Sequence, residues 1–306
     1  MGRDSKMPLF VNEARVRAVL QMTSMIEALR AAFRAQAEGL VTNVPRSRAK
    51  LLGKSVNMTA ASDSKTNRYA VKIYGGGTFH VHLYDREQGL LATIEADWLG
   101  QMRTGAANGL AASLMARPQS RSVGLIGAGR QAVTQILALD ALGLVDHVSV
   151  FTHRLEKAKE FCEMMGKRVV AKFEIASSAD EAVAQADIVV TATTSETPVF
   201  NHSALRPGTH INAMGANAAS RMEIAPSLVH DCAFIVTDDC DQARIEGGEF
   251  LSIGPSFDWS RVRPLSEIVA AGPIKRTEND LTFYKSLGAG LEDLAAASLL
   301  YDLLVS

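Results

Sequence analysis

Ser122-Val123-Gly124-Leu125-Ile126-Gly127-Ala128-Gly129-Arg130-Gln131-Ala132 is the stretch of this 306-residue chain whose reading decides the fold. An apolar run ends in G-x-G-x-x-A and passes into Gln131 to Leu142, which reads as a helix, and His147-Val148-Ser149-Val150-Phe151 follows as a second strand. In that setting the first glycine allows a tight turn and the second lets a phosphate approach the backbone. Ala132 leaves room for the helix to pack closely on the strand. Backbone N–H groups and a helix N-terminus then converge on one point, which suits a pyrophosphate. Gly127, Ala128, Gly129, Arg130 and Gln131 are therefore expected to bind a dinucleotide. The glycine pattern alone is weak; the strand before it and the helix after it carry the reading.

Outward from this turn, short β-branched runs alternate with amphipathic stretches from Ser122 to Asp238, the signature of a parallel sheet with crossover helices. Strands are expected at Val123–Ile126, Val148–Phe151, Asp187–Ala192, His210–Met214 and Phe234–Thr237. Helices are expected at Gln131–Leu142, Leu155–Met165, Ala179–Ala186 and Glu223–Val229. The block reads as a Rossmann-type doubly wound α/β domain. Before it, Val16–Gln36 has a helical pattern, and Lys65–Asp85 alternates around Gly75-Gly76-Gly77. That glycine cluster fits either a substrate-side loop or a plain turn or bulge. The turn Arg86-Glu87-Gln88-Gly89 leads into Leu90–Ile94. This part reads as an α+β domain, and Gly290–Leu304 reads as one apolar helix packing back on it.

With 47% apolar and 21% charged residues, the chain can bury a large core and is too long for one typical domain. Its 32 basic and 33 acidic side chains lack the electrostatic footprint of a nucleic-acid binder. Cys162, Cys232 and Cys240 form neither a metal pattern nor an even disulfide framework, so buried thiols in a reducing compartment are expected. Met1 to Leu20 carries charges and no signal-peptide h-region, and no run approaches a membrane span. A cytoplasmic protein without membrane or nucleic-acid partners is expected, with no metal.

Pro45-Arg46, Ala70-Val71-Lys72, Met102-Arg103-Thr104-Gly105-Ala106-Ala107, the Gly127–Ala132 loop, Ile211-Asn212-Ala213-Met214-Gly215, Lys285-Ser286-Leu287-Gly288 and Glu292-Asp293-Leu294-Ala295 together resemble the ornithine cyclodeaminase/mu-crystallin family of NAD(P)-dependent proteins. The resemblance spans most of the chain, and the Arg-Thr and Asn-Ala-x-Gly blocks are more specific than the glycine loop. It implies a Rossmann domain, residues 119–284, inserted into an α+β substrate-binding and dimerisation domain made of residues 1–118 and 285–306. It also implies a homodimer.

Arg46, Lys72 and Arg103 match the positions that hold a substrate α-carboxylate in this family. A planar guanidinium grips a carboxylate in bidentate fashion, and further cations hold it rigid. Lys72, in an apolar strand near two arginines, is expected to have a lowered pKa and to donate or relay a proton. His80 and His82 alternate on one strand face with Tyr84. They could line a side-chain pocket and, with Arg48, accept a second carboxylate, or be ordinary strand histidines; Thr78 is a pocket candidate by family position. Cyclodeaminases carry an aspartate two residues after the glycine of the Asn-Ala-x-Gly block. Here Asn217 stands there, and an amide is no general base.

The resemblance thus implies NAD(P)H-dependent reduction of the C=N bond of a small imino acid, such as pyrroline-2-carboxylate or an acyclic imino acid, or the reverse oxidation of an amino acid. The alternatives are an ammonia-releasing cyclodeaminase and a non-catalytic mu-crystallin-like binding protein. At the cofactor corner, Phe151-Thr152-His153-Arg154 has no acid to bind a ribose 2′-OH, so Thr152, His153 and Arg154 suit NADP(H) better, with NAD(H) as the other option. Thr104, Thr193, Met214, Gly215 and Gly288 are further cofactor candidates.

Overall fold

The computed structural model describes residues 7–306, and the chain forms two units. One runs to Arg103 and resumes from Gly288 to Ser306; the other is Thr104–Leu287. The first opens with β1 (Leu9–Val11), α1 (Glu13–Val19) and α2 (Met22–Ala37). The stretch expected to be one helix is broken at Leu20 and Gln21, both extended. Leu20, within the break, and Met22, just after it, are both buried, which one continuous helix face does not offer to residues two apart.

Five strands follow: β2 (Val41–Leu51), β3 (Lys54–Asp63), β4 (Arg68–Gly75), β5 (Thr78–Asp85) and β6 (Gly89–Glu95). α3 (Asp97–Met115) comes next, and the boundary between units falls inside it. Among the described residues the sheet order is β1-β6-β5-β4-β3-β2, antiparallel except for the β1–β6 pair. Gly76 and Gly77 have φ of 59° and 87° and make the two-residue β4–β5 turn, so the glycine cluster is a hairpin turn. The period of two divides the sheet: Ala61, Ala70, Val81 and Leu83 are buried, while Val44, Val56, Met58, Tyr69 and Ile73 are 37 to 47% exposed on the other face.

The second unit contains β7 (Ser122–Ile126), α4 (Arg130–Ala141), β8 (His147–Phe151), α5 (Leu155–Gly166), β9 (Lys172–Ile175), α6 (Ala179–Ala184), β10 (Ile188–Thr191), β11 (His210–Ala213), α7 (Pro226–Asp231), β12 (Phe234–Thr237), α8 (Cys240–Glu246), α9 (Gly248–Leu251), β13 (Val262–Pro264), α10 (Leu265–Ala271) and β14 (Thr282–Lys285). Its parallel sheet has the order β13-β12-β14-β11-β10-β7-β8-β9, with helices as crossovers. This is the doubly wound arrangement expected, and its strand order reverses between β7 and β10. The helix expected from Glu223 begins at Pro226, whose ring fixes the first helical position. The chain closes with α11 (Gly290–Val305), which packs on α2, β3 and β4. At Gly290 a Cβ would lie 2.5 Å from the Ala60 carbonyl oxygen, so only glycine allows this approach.

The core of the second unit includes one polar knot with a measurable consequence. His210, at the start of β11, is fully buried; its Nδ1 lies 2.8 Å from Thr282 Oγ1 and its Nε2 3.0 Å from Asn212 Oδ1. Burial pushes the imidazole from its ordinary 6.5 down to about 3. The unfolded chain therefore binds a proton that the folded chain refuses between those values, and stability is lost as pH falls below 6.5. On going from about pH 7.5 to about pH 5, wild type should lose about 2 kcal/mol more than His210→Gln in urea denaturation. Equal losses in the two proteins would contradict this assignment.

The thiols are only partly as expected. Cys232 is buried, with its thiol pushed up to about 12 by burial, whereas Cys162 and Cys240 are intermediate; all three are free.

Candidate active site

In the first unit, four elements bring charges together. β2 carries Arg46, and the path to it is bent: the β2–β3 register shifts between Val44 and Ser47, at Pro45-Arg46. Proline has no N–H for the ladder and favours such a bulge. Regular alternation from Val44 would have put Arg46 on the open face; the extra residue puts Ser47 there instead, and Arg46 is buried. Its Nη2 donates to the Gly288 carbonyl oxygen at 3.1 Å.

Lys72, on the buried face of β4, donates from Nζ to Asp293 Oδ1 at 3.0 Å. Arg103, on α3, donates from Nε to the same oxygen at 3.1 Å and from Nη1 to Glu292 Oε2 at 2.7 Å. The hydroxyl of Thr59 donates to Asp293 Oδ2 at 3.3 Å. Backbone shape serves the cluster too. Gly288 has φ +82°, and a Cβ there would come within 2.6 Å of an Arg103 guanidinium nitrogen.

The three cations expected to act together are therefore brought together, around carboxylates whose role the sequence reading had not assigned. Lys72 and Arg103 pair directly with Asp293 and Glu292, and Arg46 lies near enough to act on both Lys72 and Asp293, so the cluster offers cations of the kind that grip a carboxylate. Burial lowers the Lys72 ammonium below the ordinary lysine value; Asp293 pulls it back, and Arg103 and Arg46 push it further down. Burial would raise Asp293, but Arg103 and Lys72 outweigh it and hold that carboxyl below its ordinary value.

The histidines lie elsewhere. His80 pairs with Ile73 and His82 with Val71, whereas Lys72 pairs with Val81. Pairs across a sheet share a face, so both histidines stand on the open face, opposite Lys72. His82 Nδ1 lies 3.2 Å from Thr93 Oγ1. Arg48 pairs with Asn57, on the Lys72 side of the sheet. The arrangement in which Arg48, His80 and His82 grip a second carboxylate is corrected by this register. Thr78 sits exposed at the β4–β5 turn and donates to the Gly75 carbonyl oxygen at 3.0 Å.

In the second unit the candidates gather at the carboxyl ends of parallel strands. Gly127–Gln131 follow β7, Thr152–Arg154 follow β8, Thr193 follows β10, and Met214, Gly215 and Asn217 follow β11. Thr104 is buried on α3, and Gly288 belongs with the first unit. Gly127 has φ +99° and a Cβ there would lie 2.5 Å from the Ala192 carbonyl oxygen, so the turn demands glycine. Gly129 is the N-cap of α4, with no side-chain cap, and a Cβ there would meet nothing within 4 Å. Open space over uncapped helix N–H groups fits a phosphate. His153 and Arg154 are exposed at the β8 corner.

Behind these loops lies a buried network absent from the sequence reading. Glu223 Oε1 accepts from Thr193 N and Oγ1, each at 2.7 Å; its Oε2 accepts from Gly215 N at 2.7 Å and Ala216 N at 3.3 Å. Glu249 Oε1 accepts from Glu223 N at 3.1 Å and from Lys285 Nζ at 2.8 Å. Glu223, Glu249 and Lys285 are each 0% exposed. Burial raises the Glu223 carboxyl, against the pull of Lys285 and Thr193. The only hint in the sequence was charge inside otherwise apolar surroundings, which demands a partner.

A family model described as "Ornithine cyclodeaminase/mu-crystallin family" matches residues 6–306. An alanine dehydrogenase of Archaeoglobus fulgidus is 33% identical over 220 residues, which take in 69% of this chain and 66% of that protein's own length. Among solved structures, the pyrroline-2-carboxylate reductase of Thermococcus litoralis in complex with NADH and L-proline superposes with a TM-score of 0.91 at 27% identity, covering 97% of each chain. An archaeal alanine dehydrogenase dimer with bound NAD also gives 0.91, at 26% identity, over 97% of this chain and 96% of that one. These relatives are oxidoreductases of amino or imino acids by name, and the two structures hold NAD or NADH.

Proposed function

The chain belongs to the ornithine cyclodeaminase/mu-crystallin family, and from that premise we propose that it is an NAD(P)H-dependent oxidoreductase reducing the C=N bond of a small α-imino acid, or oxidising the matching α-amino acid in reverse. The observation that carries the proposal is the buried cluster of Arg46, Lys72 and Arg103 near Asp293. Arg46 and Arg103 bind the substrate carboxylate, with Arg103 held in place by two buried carboxylates. Rigid placement of this kind removes entropy from the barrier. Lys72 holds the proton for the imine nitrogen, its ammonium weakened by burial, and Asp293 orients it. When bound, the nicotinamide supplies the hydride that reduces the imine carbon. Asn217 in place of an aspartate leaves no carboxylate for a distal amine, which weighs against cyclodeamination.

The Gly127–Gln131 turn holds the pyrophosphate, with Thr104, Thr193, Met214 and Gly215 toward the nicotinamide. NADP(H) is preferred in this reading: His153 and Arg154, exposed after β8, are able to pair with a 2′-phosphate, and no acid at the end of β8 repels it. Arg154→Asp should lower the preference for NADPH over NADH at least about tenfold, roughly 1.4 kcal/mol. The two kcat/KM values measured on one preparation check this, and an unaltered ratio means that the phosphate is bound elsewhere.

The homodimer is supported by the open sheet face, where Val44, Val56, Met58, Tyr69 and Ile73 form an apolar surface and Tyr69 stacks on Tyr84 at 5.0 Å. The substrate and dimerisation roles go to residues 1–118 and 285–306, the dinucleotide role to 119–284. A cytoplasmic setting agrees with three free thiols; among the described residues no helix is long and apolar enough to cross a membrane. The test of function is NADPH oxidation by a panel of cyclic and acyclic α-imino acids. Ammonia release without net cofactor turnover would support cyclodeamination, and tight ligand binding without turnover a binding protein.

A further inference from the structure

We propose that Glu223 is a positioning residue for the nicotinamide end of the cofactor, joining the loop after β10 to the loop after β11 through one carboxylate. The proposal rests on the reading that these two loops receive the nicotinamide. In the parallel sheet the Gly127 turn lies at the strand-order reversal, with the β8 corner on one side and β10 and β11 on the other. Assigning His153 and Arg154 to the adenosine side leaves the Thr193 and Gly215 loops for the reacting ring.

Neither loop is regular structure, and their amides have no ladder partners at these positions. Glu223 supplies the missing acceptors: one oxygen takes Thr193 N–H and hydroxyl, the other takes Gly215 N–H, all at 2.7 Å, with Ala216 N–H at 3.3 Å. Every one of these contacts needs an acceptor, and a carboxylate alone among side chains offers two such oxygens. The loops also touch directly: at Gly215 a Cβ would overlap the Thr193 backbone. Glu223 is held in turn, because its own N–H is taken by Glu249, which also binds the buried Lys285 ammonium. The brace is thus anchored from behind. A fully buried acid with a buried lysine one contact away is costly unless its bonds are all made, so either loop shifting alone would break charge-assisted hydrogen bonds.

The test uses Glu223→Gln in the full chain. The amide keeps the shape and turns one acceptor into a donor that faces N–H groups. Affinity for NADPH is measured beside affinity for adenosine 2′,5′-bisphosphate, which carries the adenosine and phosphate but no nicotinamide. The expected result is an NADPH Kd raised at least about tenfold, with the bisphosphate Kd within about twofold of wild type. Equal weakening of both ligands, or no change in either, overturns the proposal. Glu223→Asp, which keeps the charge for its buried neighbours but is one methylene too short to reach both loops, is measured in the same way in case the amide variant does not fold. It is expected to show the same selective loss, and wild-type NADPH affinity in it also overturns the proposal. If wild type itself binds neither NADPH nor NADH, the dinucleotide reading falls and this brace falls with it. Wild-type binding with an unaffected Glu223→Gln removes the brace alone.

Discussion

Arg103→Ala should lower kcat/KM for the imino acid at least about a hundredfold, about 2.7 kcal/mol, with NADPH affinity within about twofold of wild type. The guanidinium touches both buried acids, Asp293 at 3.1 Å and Glu292 at 2.7 Å. Removing it takes away the proposed bidentate donor for the substrate and one of the cations that offset Asp293 and Glu292. A substrate anion would then enter a buried site that is less positive, and KM should rise. Stability should fall as well, by about 3 to 5 kcal/mol, because buried carboxylates lose their partner. Arg103→Lys separates the two effects: it restores a charge and most of the stability but not the fork, so its KM should stay high. Wild-type kinetics in a folded Arg103→Ala protein would remove the carboxylate-anchor role.

Lys72→Arg should lower kcat by about 10² to 10⁴ while raising KM far less. Arginine keeps the cation that Asp293 binds at 3.0 Å but does not release a proton near neutral pH. Lys72→Met should raise KM too, since charge and proton are lost together. The pH profile carries the sign. With Lys72 as the proposed donor, its ammonium would be the form active in reduction, and burial lowers its pKa, so kcat should fall as pH rises through that lowered value. Lys72→Arg should show no such alkaline fall from this group. A Lys72→Arg enzyme with wild-type kcat and an unchanged alkaline limb would show that the proton comes from elsewhere.

Much of the scaffold was legible because it obeys simple periods. The Gly127–Ala132 turn, all five expected Rossmann strands to within a residue at each end, and the closing helix carry clear hydrophobic patterns or a glycine demanded by φ. β14 was not legible. Thr282-Phe283-Tyr284-Lys285 looks half polar, yet all four side chains are buried between β11 and β12, because His210 satisfies Thr282 and Glu249 satisfies Lys285. Partners distant in sequence hide the hydropathy.

The same holds for the site. The cations could be found by family position, but Asp293 and Glu292 acquire meaning only when α11 is laid against β3 and β4. Glu223 likewise depends on two loops crossing. The placement of His80 and His82 failed for a different reason. Alternation fixed that they share a face, but only the β4–β5 register tells that this face is opposite Lys72.

The central claim is that a carboxylate held by Arg46 and Arg103, beside the Lys72 proton donor, presents a C=N bond for reduction. Its most direct test is the rate of NADPH oxidation by wild type with pyrroline-2-carboxylate and with pyrroline, the same ring without the carboxylate. The account predicts oxidation of one NADPH per amine formed with the carboxylated ring, at a kcat/KM at least about a hundredfold above that with pyrroline. Equal rates with the two rings would contradict it.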